Sequence, residues 1–172
     1  LQTKRLANAL FAQAARVQTQ KLITYAEQEI ERIGDSMAVC PTTNQLDRTG
    51  NLLDSVCWLL CYEGRLQKFG YYRPATAIED SHLHEYSKPM GMSVNGHHMA
   101  QQFIATYKAT STKGWELVFA VVAPYWGYWE KGFTHRRSGH RFQWQVMTQQ
   151  YDQVRSDLTP SRVSFHNYIP AA

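Results

Sequence analysis

The sequence predicts an α+β domain: a twisted antiparallel sheet packed by a long N-terminal helix and a C-terminal helix, with a long inserted loop. Three observations point to mixed helix and strand. Apolar residues recur at helical steps from Thr3 to Ile33, two strand-like runs flank the turn pair Glu63-Gly64, and an apolar run from Trp115 to Ala123 precedes a second helical stripe. At 172 residues the chain is long enough to bury one core, so residues 1–172 are read as a single domain with 73–113 as an insertion or extended loop.

The first helix is marked by Leu6, Leu10, Ala14, Val17, Leu22, Tyr25, Ile30 and Ile33, and Gly34 supplies its stop. Its other face carries Gln13, Arg16, Gln20, Gln28 and Glu31, a surface for solvent or for a partner. A connector from Asp35 to Asp47 leads to a short helix in which Thr49 is the N-cap and Leu52, Leu53 and Val56 share one side. Cys57–Tyr62 and Arg65–Tyr72 then form a hairpin around Glu63-Gly64.

The stretch from Arg73 to Lys113 is less periodic and rich in His, Met, Ser and Gly. Within it, Met99 to Ala109 is expected to return the chain to the sheet as a short helix or strand. Its apolar residues, among them Tyr86, Met90, Met92, Met99, Phe103, Ile104 and Tyr107, are too many for a fully solvated loop, so the stretch is expected to contact another subunit.

Trp115–Ala123 is apolar on both alternating sets of side chains, which suits a central strand covered on both faces. One long helix covers a single face, so the final helix or a neighbouring subunit is expected to cover the other. Pro124 ends the ladder for want of an N–H, and Tyr125, Trp126, Tyr128 and Trp129 follow, closed by Glu130, Lys131 and Gly132. Such dense aromatics make either a core corner or a contact surface. Thr134–Arg141 is a basic turn with Arg136 and Arg137. The last helix carries Trp144, Met147, Tyr151, Val154 and Leu158 at three-four steps and stops at Thr159-Pro160. Arg162–Ile169 alternates loosely, as an edge strand does.

The net charge of +4 and pI near 9.0 are mildly basic, but the bases are scattered, which argues against a dedicated nucleic-acid block. A basic nucleic-acid-binding module built on Arg136, Arg137 and Arg141, with neighbouring rings stacking bases, is one rival reading. Cys40, Cys57 and Cys61 are odd in number and lack zinc-ribbon spacing, so they read as small thiols in a reducing compartment. A second rival is a histidine-dependent hydrolase or nuclease using His82, His84, His97 or His98 with Asp80 or Glu85, but no ligand spacing or triad supports it. No catalytic, cofactor-binding or metal-ligating residue is therefore assigned, and neither a membrane span nor a signal-peptide core is visible. The sequence opens on Leu1 rather than methionine, which leaves room for residues upstream.

Two motifs carry a family resemblance. Arg48-Thr49-Gly50-Asn51-Leu52-Leu53-Asp54-Ser55-Val56 is similar to a pattern of Thr-Gly, a leucine two residues on, and Ser followed by an aliphatic. Ala123-Pro124-Tyr125-Trp126-Gly127-Tyr128-Trp129-Glu130-Lys131-Gly132 is similar to an Ala-Pro-Tyr segment that ends in Glu, one residue and Gly. In this order, between these helices, they resemble the tail-completion or head–tail joining (neck) proteins of long-tailed bacteriophages. The likeness spans most of the chain except 73–113, and Trp129 stands where an aliphatic residue is commoner.

The resemblance implies a structural virion protein, not an enzyme, with a long helix across one face of a twisted antiparallel sheet. It implies a homo-oligomeric ring, hexameric or dodecameric, in the neck or at the tail end, made in the host cytoplasm. Its neighbours would be connector, portal-adaptor or tail-tube proteins, with DNA passing through without specific binding. Tyr125, Trp126, Tyr128, Trp129, Glu130, Arg136 and Arg137 are then the candidates for subunit contact, and Thr49, Gly50, Leu52, Ser55 and Gly132 the structural residues of the motifs.

Overall fold

A computed structural model describes residues 2–39, 51–73, 96–123, 126–134, 136, 138–139, 141–143 and 145–158. The chain runs α1 (Gln2–Ala38), α2 (Asn51–Asp54), β1 (Val56–Tyr62), β2 (Arg65–Tyr71), α3 (Gly96–Thr106), β3 (Trp115–Val121), α4 (Trp126–Lys131), β4 (Phe133–Thr134), β5 (Arg141–Phe142) and α5 (Val146–Asp157). It is an α+β fold with a three-stranded antiparallel sheet ordered β2-β1-β3 and a separate two-stranded ribbon of β4 and β5.

The centre of the sheet is β1, not the 115–123 run. Every residue of Val56–Cys61 is buried, whereas β3 is half-buried along its length and forms an edge. Both runs are apolar, and pairing decides between them: β1 has hydrogen-bonded neighbours on both sides through the tight turn to β2 and the antiparallel register Val56↔Val121 to Tyr62↔Trp115. The turn is the expected one. Glu63 and Gly64 both take left-handed backbone, at φ 48° and 79°, as a two-residue hairpin loop of the I′ kind requires.

Alternation along β1 splits the core in two. Val56, Trp58 and Leu60 meet Ala26, Ile30, Ile33 and Met37 of α1, joined by Leu52, Leu53, Ala123, Trp126 and Val146. Cys57 and Leu59 point to the other face, where Ala100, Phe103 and Ile104 of α3 cover them with Met99 and Tyr107 alongside. The second cover is thus α3, not the final helix or a neighbouring subunit. Met99 to Ala109 does return the chain to the sheet, as the helix α3. The expected contact of this stretch with another subunit is corrected for its last third: residues 100, 103, 104 and 107 lie at helical steps on one face, and that face is buried on β1. Tyr86, Met90 and Met92 lie outside the described residues.

Other boundaries shift for local reasons. Gly34 does not stop α1, which runs on to Ala38; it is the point of closest approach, because a Cβ there would fall inside the Tyr72 ring. Tyr72 is fixed by donating its hydroxyl proton to Asp35 Oδ1 at 2.8 Å. The described short helix is Asn51–Asp54, and Val56 already belongs to β1. Asn51 ties this turn to α3 by accepting the Gly96 N–H on Oδ1 at 3.0 Å. The last helix begins at Val146, ends where Leu158 bonds back to the Val154 carbonyl, and buries Val146 and Val154 beside α1. The 162–169 strand expectation lies outside the described residues.

Candidate assembly surface

The two motifs meet in space. Ser55 sits in the turn between α2 and β1, donates its hydroxyl proton to the Leu52 carbonyl at 2.7 Å and accepts the Ala123 N–H at 3.1 Å. Its own carbonyl accepts the Val122 N–H at 3.2 Å. One buried serine therefore satisfies the backbone where β3 ends and the aromatic segment begins, 68 residues further along the chain. Leu52, fully buried, packs in the same cluster as Ala123 and Trp126. Thr49 and Gly50 lie outside the described residues; Gly132, at φ 79°, is the left-handed residue between α4 and β4.

The aromatic segment turns Trp126 and Glu130 inward rather than presenting them as a contact surface. Trp126 is 5% exposed and belongs to the main core. Glu130 is 6% exposed and serves α5: its carboxylate accepts the Thr148 N–H at 2.7 Å, the Met147 N–H at 3.3 Å and the Thr148 hydroxyl at 2.7 Å. Gln145 at the helix start makes no side-chain cap of its own, so Glu130 reaches across from α4 to satisfy the free first-turn amides and set a negative charge against the positive end of the helix. Both residues are thus withdrawn from the candidate subunit contacts, since their burial is already accounted for inside the domain. Tyr125 and Arg137 lie outside the described residues, as do the side chains of Tyr128 and Trp129. Arg136 is exposed beside the β4–β5 ribbon.

The exposed apolar surface lies elsewhere. A helix of 37 residues is about 55 Å long at 1.5 Å per residue, whereas seven-residue strands span about 23 Å, so α1 outruns the sheet. Its docked part is the carboxyl-terminal half. Residues 9–18 are all exposed, with Leu10 at 59%, Phe11 at 76% and Val17 at 51%. On the β2 edge of the sheet, Leu66 and Phe69 are also exposed. The first helix was read from sequence as amphipathic throughout, and that pattern conceals the division: only the steps from Leu22 onward have a core to face.

The titratable groups are mostly structural. Cys57 and Cys61 are buried thiols, and burial pushes Cys57 up to about 12, far from a reactive thiolate. Cys40, His82 and His84 lie outside the described residues. His97 is on α3 rather than in a loop, its ring tilted against Tyr71 at 4.6 Å between centroids and bonded to Gln101 at 3.0 Å. Burial, then the neighbouring His98, hold it below the usual imidazole range. Glu116 accepts bonds from the Tyr107 and Thr110 hydroxyls and from the Thr110 and Ser111 amides. Burial works against its charge, but these donors outweigh it and hold its carboxyl below the ordinary value. The loop from α3 to β3 is tied down by this one carboxylate.

Among the described residues no three His, Cys, Asp or Glu side chains converge as a metal site, and no helix is long and apolar enough to cross a membrane. A shallow, open depression of about 440 Å³ is lined by α1 alone, from Val17 to Gln28, and gathers no acid–base pair. Comparison with protein-family models, with curated proteins and with solved structures gives no match. Surface, rather than a cleft, is what the described residues offer.

Proposed function

We propose that this chain is a structural subunit of a tailed-bacteriophage virion, forming a homo-oligomeric ring in the head–tail connector or at the tail end. The observation that carries the reading is the projecting half of α1, whose Leu10, Phe11 and Val17 are exposed and not covered by any of the described residues. Isolated exposed apolar residues are ordinary, but three within eight positions of a helix that leaves its domain form a surface for another protein.

The meeting of the two motifs at Ser55 and Ala123 supports the same reading, because the residues behind the family resemblance then have a shared structural task. Ring closure needs a heterologous contact, one patch of each subunit on a different patch of the next, and a projecting helix beside a docked domain supplies two unlike patches. DNA would pass along the ring without sequence-specific contact, and neighbouring connector or tail-tube proteins would stack on it. Negative-stain electron microscopy with sedimentation velocity on the purified protein tests the proposal. Closed rings of uniform subunit number are expected, and a protein that stays monomeric at tens of micromolar (roughly the range of weak specific association) would refute it.

A further inference from the structure

We infer that the projecting amino-terminal half of α1 docks on the exposed acidic flank of the carboxyl-terminal half of α1 in a second copy of this chain. The inference rests on the ring reading and names the contact that closes it.

Charge is segregated along this helix. From Gln2 to Thr24 it carries Lys4, Arg5, Arg16 and Lys21 and no acid, whereas from Tyr25 to Ala38 it carries Glu27, Glu29, Glu31 and Asp35 against Arg32 alone. This order is opposed to the macrodipole, which favours acids near the start of a helix and bases near its end. Glu27 and Glu31 are exposed and one turn apart, where like charges repel. Among the described residues the buried Glu29 takes Arg32, at 3.0 Å, and Asp35 takes the Tyr72 hydroxyl, and no base is paired with Glu27 or Glu31. A basic helix segment from a second copy relieves both faults at once.

The apolar residues of the projecting half fit the same partner. At 100° per residue Leu10 and Val17 lie roughly half a turn away from the stripe of Ala26, Ile30, Ile33 and Met37 that faces the sheet. Leu10 and Val17 are therefore no unfinished extension of the domain's own core and belong to a separate face, whereas Phe11 lies about 70° from the centre of the stripe. Lys21 lies on that face and Arg16 about 100° round the helix from Val17, both exposed, so apolar contact and at least one basic group fall on the same side of the helix. In a head-to-tail ring each subunit gives its projecting half to one neighbour and offers its acidic flank to the other.

Charge reversal with restoration tests the pairing. Arg16→Glu with Lys21→Glu, and separately Glu27→Lys with Glu31→Lys, should each raise the midpoint concentration for assembly by at least about tenfold, read by sedimentation velocity. The chain carrying all four changes should assemble again. All four side chains are exposed, so thermal unfolding followed by circular dichroism should match the parent. Leu10→Ser with Val17→Ser provides a second, uncharged disruption with the same expected loss of assembly. The inference is overturned if the parent forms rings that neither charge pair weakens, or if the fourfold variant assembles no better than the pairs. It is also overturned if Arg16→Glu with Lys21→Glu abolishes retention of duplex DNA and leaves the ring intact, since the partner is then nucleic acid. A monomeric parent overturns the ring reading itself.

Discussion

Replacing Glu130 by alanine separates the two roles open to this residue, contact with a neighbour or a cap for α5. The carboxylate accepts three hydrogen bonds from Met147 and Thr148, two of them at 2.7 Å. Loss of a helix cap costs about 0.5–2 kcal/mol, and hydrogen bonds to a charged group are worth about 1.5–3 kcal/mol. Thr148 is exposed, so water replaces part of what is lost, and a total of about 1.5–3 kcal/mol follows for Glu130→Ala. For a chain of this size each kcal/mol moves the melting temperature by about 2–4 °C, which gives a fall of about 3–12 °C. Glu130→Gln keeps an acceptor but loses the charge facing the helix start, and should fall between parent and alanine variant. Differential scanning calorimetry on the three proteins, at a concentration where assembly is unchanged, reads the effect. An alanine variant that melts with the parent but no longer assembles would refute the capping account and return Glu130 to the subunit surface.

Three further outcomes follow from the packing. Leu52→Ala, at a fully buried position between α1 and the aromatic segment, should cost about 2–5 kcal/mol in urea unfolding, and an unchanged midpoint would contradict its burial. Phe103→Ala should cost about 3–5 kcal/mol if α3 is the second cover of the sheet; a variant that keeps its stability but loses assembly would place this stretch at a subunit contact instead. Glu116 is held below its ordinary range in the folded chain, so its contribution is present above the unfolded value, about 4.3, and is lost as pH falls through the folded one. Glu116→Gln should therefore flatten the fall in stability below about pH 4.5, and an acid limb identical to that of the parent would show that the network around Tyr107 is not formed.

What could be read in the sequence was local. Glu63-Gly64 fixed the hairpin because two left-handed residues between apolar runs have few alternatives, and the three-four steps of Met147, Tyr151 and Val154 marked the last helix. What depended on distant partners was not. Val56–Cys61 and Trp115–Val121 are both apolar, and the choice of central strand lies in the pairing rather than in either run. Gly34 looks like a helix stop until Tyr72 is found lying over it. That Met99 to Ala109 returns to the sheet as a short helix or strand could be read, but not that Ala100, Phe103 and Ile104 cover the second face of β1, since that depends on Cys57 and Leu59, far earlier in the chain. Glu130 had no sequence mark of its task, since its partners at Met147 and Thr148 lie 17 and 18 residues further on. The projecting half of α1 was hidden by its own regularity: the spacing of apolar residues shows that a helix forms, while only the length of the sheet shows where its cover ends.

Electron cryo-microscopy of the tailed particle that contains this chain, combined with mass spectrometry of its proteins, tests the virion role most directly. The account predicts that the chain is present in stoichiometric amount and that its sheet, flanked by α1 and α3, fits a ring of density in the neck or at the tail end, with the amino-terminal half of each α1 lying against the next subunit. Purified intact particles from which the chain is missing would contradict the structural role outright.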